Sequence, residues 1–127
     1  MRTIEVPFQD WRRVLDEFSA IHEGWLISVD ILSALMGAQP ELHDLPLLGV
    51  TVGGSGARPS ITIAAARSAD DHLAHTIESP ARVWLERTDA GATAALEIES
   101  EDGTKTILRF RPAVLPEMVD GIGRARG

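Results

Sequence analysis

The chain of 127 residues contains no cysteine, and its positive charge rests on eleven arginines and a single lysine. Without cysteine there is no disulfide framework, no thiolate nucleophile and no cysteine metal site. No segment approaches the roughly 20 apolar residues that a membrane-spanning helix needs. The first ten residues, MRTIEVPFQD, lack the charged head and apolar run of a signal peptide. We therefore expect a cytoplasmic protein with no membrane partner.

Acidic side chains also outnumber basic ones, so the formal net charge is −7 at pH 7. Proteins that bind nucleic acid or anionic membranes depend on clustered lysine and arginine side chains. The acidic balance therefore predicts that nucleic acid is not a partner.

Motifs that commit a chain to a chemistry are missing as well. The sequence has neither a GxSxG nor an HExxH pattern. Residues 53–59 are rich in glycine, but they contain no lysine and precede a predicted strand instead of a helix. We interpret this segment as the flexible tip of a β-hairpin, and we expect no cofactor and no enzymatic activity.

The length and the hydrophobic content of 44% suit one globular domain with its own core. We place this domain at residues 1–112. Residues 113–127, rich in glycine and arginine, are predicted to form a partly disordered C-terminal tail.

One amphipathic helix is predicted over residues 8–22, and Gly24 stands where a left-handed C-terminal cap is expected. Its apolar residues follow the i, i+3, i+4, i+7 spacing of a single stripe. They are Trp11, Val14, Leu15, Phe18 and Ile21. The stripe predicts that the helix covers one face of a sheet.

Short segments of alternating or β-rich sequence follow, separated by turn residues. After a short first strand ended by Pro7, they cover residues 25–32, 47–52, 60–67, 72–78, 82–88, 92–99 and 104–111. Residues 33–46 contain Gly37, Pro40 and Pro46 and are interpreted as a loop. The pattern predicts an α+β fold, with the N-terminal amphipathic helix packed on a curled, mainly antiparallel sheet or partly open barrel of about seven strands.

The last three strands form a meander whose register follows from the hydrophobic pattern. A three-residue loop that ends at Gly103 places Leu96 opposite Leu108, whereas a two-residue loop would pair leucine with arginine. The same kind of loop at 89–91 places Trp84 opposite Leu96. We therefore predict an apolar core row of Trp84, Leu96 and Leu108.

Few polar residues stand out as candidates for a site. His72 and His75 resemble a metal-binding pair, but i and i+3 point to opposite faces of a strand, so no metal site is expected. The candidate ligand-binding residues are Asp70, Asp71 and His72, together with Arg58, in the mouth of the barrel. No residue is predicted to be catalytic.

Two further polar residues carry expectations of their own. His22 falls in the last helical turn, where a cation suits the helix dipole. Asp30 interrupts an apolar strand and needs a partner if it is buried, which an arginine can supply.

Four segments, at 10–19, 22–32, 70–87 and 95–111, resemble a domain-of-unknown-function family of short bacterial proteins. They read DWRRVLDEFS, HEGWLISVDIL, DDHLAHTIESPARVWLER and ALEIESEDGTKTILRFR. The resemblance covers nearly the whole chain. It implies a bacterial, single-domain protein and no particular activity.

Three classes of function remain open. The leading one is a non-enzymatic binding or protein-interaction module, with itself as homo-oligomer or another protein as partner. The second is a small-ligand-binding protein or minor enzyme that uses the Asp/His/Arg pocket. The third, an RNA binder of the Sm-like kind, is disfavoured by the acidic charge. A deep pocket with convergent polar groups would favour the second class, and a flat apolar patch the first.

Overall fold

The computed structural model describes residues 1–110, so the predicted tail at 113–127 lies outside the described residues. One α-helix and eight strands are found in this part of the chain. They are β1 Arg2–Val6, α1 Trp11–His22, β2 Leu26–Ser33, β3 Gly37–Ser55, β4 Arg58–Ser68, β5 Asp71–Glu78, β6 Pro80–Arg87, β7 Thr93–Ser100 and β8 Lys105–Phe110. A short 3-10 turn at Phe8–Asp10 precedes the helix. The predicted combination of one N-terminal helix and a mainly antiparallel sheet is confirmed.

The eight strands form one antiparallel sheet in the order β1-β6-β7-β8-β2-β3-β4-β5. The count exceeds the predicted seven because short β1 pairs along all five of its residues with β6 and is a full edge strand. Within residues 1–110, β1 and β5 each have one neighbouring strand, so the sheet is not closed. Its residues nevertheless surround one core, to which α1 and every strand contribute.

Strand β3 corrects the prediction of a loop at 33–46, because it begins at Gly37 and passes through both prolines. Its first half pairs with β2 alone, and β4 joins only from Leu47 onward. Proline is tolerated where one side of a strand has no neighbour, because the missing N–H then breaks no ladder. The register shifts between β2 and β3, together with a positive φ of 56° at Asp44, bend the strand between its two halves.

The β3–β4 hairpin is also longer than predicted. Residues 53–59 are largely strand, because β3 continues to Ser55 and β4 begins at Arg58. Gly54 adopts a φ of 76°, and a Cβ there would collide with the carbonyl oxygen of Arg58. Gly54 thus permits the close approach of two paired strands at a place where a flexible loop was predicted.

The inner face of the sheet carries the core, and the register of β7 and β8 on it is as predicted. Leu96 lies opposite Leu108, and Gly103 has a φ of 90°. The predicted position of Trp84 is wrong, because Leu85 lies opposite Leu96 and Trp84 lies opposite Glu97 on the outer face. The core row is therefore Leu85, Leu96 and Leu108, all of them buried.

A β-bulge explains this error. Arg87 pairs with Thr93 as a three-residue loop requires, but the next pair is Glu86 with Ala95. Ala94 is therefore an extra residue in β7, and it moves every later pair by one position. A one-residue shift exchanges the two faces of a strand, which turns Leu85 inward and Trp84 outward.

Helix α1 covers one end of the inner face, which we call the helix end, and packs mainly on β3. Its buried residues are Trp11, Leu15, Phe18 and His22. Ile21, predicted to belong to this stripe, is 66% exposed, and the polar Ser19 faces β3 instead. Ser19 Oγ accepts a hydrogen bond from Val50 N at 2.7 Å and donates one to Leu15 O at 2.8 Å. Gly24 ends the helix with a φ of 86°, as predicted.

Candidate functional site

A cleft of about 440 Å³ lies at the opposite end of the inner face, and we call it the open-end cleft. It is formed where the ends of β2 and β5 meet the β7–β8 hairpin. The sharp corner between β5 and β6 borders it, because only Ser79, with a φ of 51°, separates these strands. No helix among residues 1–110 covers this end.

Thr106 lies in this cleft. It projects from β8 onto the inner face, two residues before Leu108, and is only 2% exposed. Its hydroxyl group has no hydrogen-bond partner within residues 1–110. The Thr106 hydroxyl oxygen is not among the fully buried atoms that lack a partner, so it opens into the cleft. The cleft therefore offers a hydroxyl group to which water or a ligand can bind.

His75 lies in the same cleft because of its position along β5. Leu73, His75 and Ile77 alternate onto the inner face, whereas His72 points outward. The prediction that the two histidines leave opposite faces is confirmed. His75 Nδ1 lies 3.8 Å from Glu41 Oε2, which is too long for a direct hydrogen bond.

Carboxylates dominate the charge of the cleft. Glu78, Glu101 and Asp102 line it, and none of its lining residues in the described part of the chain is lysine or arginine. A hydrogen bond from the backbone N–H of Thr104 to Asp102, 2.9 Å long, lowers the pKa of this carboxyl group. The mouth of the cleft is therefore negative at neutral pH.

Apolar side chains share the lining of the cleft with these polar groups. Ile31 and Ile77 line it, and Ile77 belongs to the hydrophobic core. Apolar side chains with a few polar groups among them are typical of a small-molecule site.

The four predicted site residues are not brought together. Arg58 begins β4, whereas His72 pairs with Ala66 near the other end of that strand. Eight residues of strand separate these positions, or about 26 Å at ~3.3 Å per residue. Asp71 forms an ion pair with Arg67 at 2.7 Å, and His72 Nδ1 donates to Ala69 O at 2.7 Å. Asp70 is exposed in the turn between the strands.

Asp30 is the other polar residue for which a partner was expected. Arg109 Nη1 lies 3.2 Å from Asp30 Oδ2, so an arginine is its partner although Asp30 is only partly buried. Both side chains lie on the outer face of adjacent strands, β2 and β8. This pair is separate from the open-end cleft.

His22 differs from its prediction as a cation at the helix terminus. It is buried, and its ring stacks on Phe110 with centroids 4.4 Å apart and an interplanar angle of 26°. Phe18 and Trp25 pack against the same ring at 4.7 Å. Its Nδ1 donates to Phe18 O at 2.7 Å. Burial lowers the pKa of His22, so the imidazole is neutral at neutral pH.

Sequence reasoning missed Thr106 as a site residue and did not include His75 among the ligand-binding candidates. The signal for His75 was present, because alternation along 72–78 placed it on the face of Ile77. The signal for Thr106 was weaker. It is a single polar residue among the inward-facing positions of a strand whose other inward-facing residues are Leu108 and Phe110. Neither residue is recognisable as part of a cleft until β5 and β8 are seen at the same end.

Over the described range, no group of three or more histidine, aspartate or glutamate side chains is arranged to hold a metal ion. The carboxylates of the open-end cleft thus lack the convergence that a cation such as Ca²⁺ requires.

The comparison with known protein families identifies the chain's relatives. A model described as "Family of unknown function (DUF5335)" matches residues 2–118. The chain belongs to this family. A relative found among curated proteins is an uncharacterized protein of the bacterium Aquifex aeolicus (strain VF5), 29% identical over 118 residues. That alignment covers 92% of this chain and 100% of the relative.

The family membership confirms the resemblance seen in the sequence and brings no activity with it. No solved structure matches the chain. None of the helices in residues 1–110 is long and apolar enough to cross a membrane.

Proposed function

We propose that the protein is a non-enzymatic binding protein that takes a small polar ligand in the open-end cleft. The observation that carries this proposal is the Thr106 hydroxyl, which opens into the cleft from a largely buried residue and has no hydrogen-bond partner in the described chain. The cleft volume of about 440 Å³ falls in the usual range for small-ligand sites.

The identity of the residue at position 106 supports this interpretation. Leu108 and Phe110, the next inward-facing residues of β8, are apolar and belong to or pack against the core. Valine has nearly the shape of threonine and would fill the same space without a hydroxyl. A hydroxyl that opens into the cleft among apolar neighbours is therefore explained best by a partner that the ligand provides.

Location and domain organisation are part of the same proposal. We propose that the protein acts in the cytoplasm and that residues 1–112 form its single domain. The acidic charge and the lack of cysteine favour this setting over the cell surface or a nucleic-acid complex.

Asp70, Asp71 and His72 remain a second candidate group for ligand contacts. They lie together at the turn between β4 and β5, where Arg67 can join them through its contact with Asp71. Arg58, at the other end of β4, would belong to a different site.

The substitution Thr106→Val tests the proposal through stability and binding together. We expect the variant to melt at about the same temperature as the wild type, because the hydroxyl makes no hydrogen bond within the described chain. The same variant should lose the resonance shifts that small polyols, amines and amino acids cause at Ile31, His75 and Thr104 in amide NMR spectra.

Two results would contradict the proposal. One is a clear loss of stability in Thr106→Val, which would mean that the hydroxyl already has a partner in the free protein. The other is a wild-type spectrum in which no compound of these three classes shifts the cleft resonances at millimolar concentration.

Self-association is a second candidate function, favoured by apolar side chains around the turn between α1 and β2. Ile21, Trp25, Leu26 and Leu48 are each at least 40% exposed. Exposed apolar patches of this kind mark interaction surfaces. We propose a homo-oligomer that buries them. Light scattering should then give more than the 13.7 kDa monomer mass, and Trp25→Ser should restore that mass. A monomer at every concentration would exclude this candidate.

A further inference from the structure

We propose that the ligand of the open-end cleft is a small aliphatic amine, protonated at one end and carrying a second hydrogen-bonding group at the other. This inference rests on the proposed binding function and adds the chemical class of the ligand. It follows from the exposed carboxylates, the apolar side chains and the Thr106 hydroxyl that line the cleft together.

The carboxylates at the mouth determine the sign of the charge that the ligand carries. Three carboxylates, Glu78, Glu101 and Asp102, line the cleft, and no lysine or arginine among its described lining residues offsets them. The two nearest basic side chains on these strands serve elsewhere, since Lys105 lies 3.9 Å from Glu97 and Arg109 pairs with Asp30 on the outer face. A cleft of one sign attracts the opposite charge and repels the same charge. Anions such as phosphates and carboxylic acids are therefore disfavoured.

The interior of the cleft selects an organic cation over a metal ion. The described carboxylates and His75 do not converge as metal ligands. The walls below the mouth are the apolar side chains of Ile31 and Ile77. These walls favour a short alkyl segment, which a hydrated metal ion lacks.

The Thr106 hydroxyl fixes the far end of the ligand. The Thr106 residue is only 2% exposed, and its hydroxyl oxygen opens into the cleft with no partner in residues 1–110. A hydroxyl can both donate and accept, so either a hydroxyl group or a second amine of the ligand can bind it. This unpartnered group on a largely buried residue is an observation independent of the carboxylates.

A matched series of four-carbon compounds tests the inference, with the full-length chain titrated by calorimetry and amide NMR. The compounds are 1,4-diaminobutane, 1,4-butanediol and succinate, which share a chain length and differ in charge. We expect 1,4-diaminobutane to bind at the cleft at least about tenfold more tightly than 1,4-butanediol, because only the amine meets the carboxylates, and succinate not to bind.

Substitutions separate the two ends of the ligand. Glu101→Gln and Glu78→Gln should each weaken 1,4-diaminobutane about two- to fivefold, the effect of one exposed charge pair. Thr106→Val should weaken it about fivefold or more through the lost hydrogen bond. Glu23→Gln, which removes the same charge after the C-terminus of α1, is the matched control and should leave the affinity unchanged.

Each other outcome overturns the amine inference. Equal binding of 1,4-butanediol and 1,4-diaminobutane, or affinities unaffected by Glu101→Gln and Glu78→Gln, would keep a binding cleft and remove the charge requirement. If calcium ions shifted the same resonances as strongly, the ligand would be a metal ion and not an amine. If none of the three compounds binds, the amine class is wrong, whereas the binding function itself falls only if the wider set of polyols, amines and amino acids also fails.

Discussion

The two ends of the inner face are built in opposite ways. At the helix end, α1 brings Leu15 and Phe18 onto β3 and the core, and aromatic rings stack around His22. At the open end, no helix among residues 1–110 covers the sheet, and the inward positions carry Thr106 and His75. The contrast shows that a helix closes one end of the core, whereas polar side chains line the other end.

The largest effect in this comparison is expected from the matched pair Leu15→Ala and Ile31→Ala. Leu15 has 0% exposure under α1, whereas Ile31 is only partly buried in the wall of the cleft. Leu15→Ala should cost about 2–5 kcal/mol, and Ile31→Ala clearly less, because a cavity that opens to solvent can be filled by water. Urea denaturation of both variants measures the difference. Equal losses would show that the open end contributes as much to stability as the helix end.

A smaller effect is expected from two serines at opposite ends. Ser19→Ala removes the group that binds Val50 N at 2.7 Å and should cost about 1–3 kcal/mol, because a partly buried N–H loses its partner. Ser100→Ala, in the cleft, should change stability little, because the Ser100 hydroxyl has no side-chain partner in residues 1–110. Thermal melts of the two variants compare them directly. A costly Ser100→Ala would mean that the polar lining stabilises the fold.

The smallest effect concerns pH at the helix end. Burial lowers the pKa of His22, so the folded state binds this proton less readily than the unfolded chain. Its contribution to stability is complete above the ordinary histidine pKa of about 6.5 and is lost as pH falls through the lowered value. The melting temperature should therefore fall more steeply below pH 6.5 in the wild type than in His22→Gln.

The control for this experiment is a neighbouring variant in which no titratable group is changed. Ser19→Ala lies one turn before His22 on α1 and should keep the wild-type slope with pH. Identical slopes in the wild type and in His22→Gln would show that protonation of His22 does not oppose folding. Glu17 and Arg87 line the small cavity beside His22, so both should be left unchanged in these variants.

Much of this architecture follows from the sequence alone. The helix was predictable because its stripe repeats at the helical period, and the β7–β8 register because leucines and charges alternate on both sides of Gly103. β3 was not predictable between Gly37 and Pro46, since its prolines are tolerated only where a neighbouring strand is missing. Whether a neighbour is missing is a property of the whole sheet, which local sequence does not reveal.

The register of β6 against β7 could not be predicted for a different reason. Residues 92–95 read ATAA, four small side chains with little preference for either face. The hydrophobic pattern therefore could not reveal the extra residue, although it fixed the register elsewhere. The open-end cleft was missed because it is assembled from strand ends that are distant in sequence. The residues of the predicted site have in common only that their side chains are polar or charged, and they do not share a place in the fold. They are Asp70, Asp71, His72 and Arg58.

The bulge at Ala94 also determines where the chain can change its length. Removing Ala94 would leave Arg87 opposite Thr93 and Glu86 opposite Ala95, so every side chain would keep its present face in a regular hairpin. Removing a residue further along β7, such as Ile98, would reverse the faces of the rest of that strand. Ala94 is therefore the position in this hairpin at which a one-residue deletion should be tolerated, and homologous chains that differ in length here should differ at this residue.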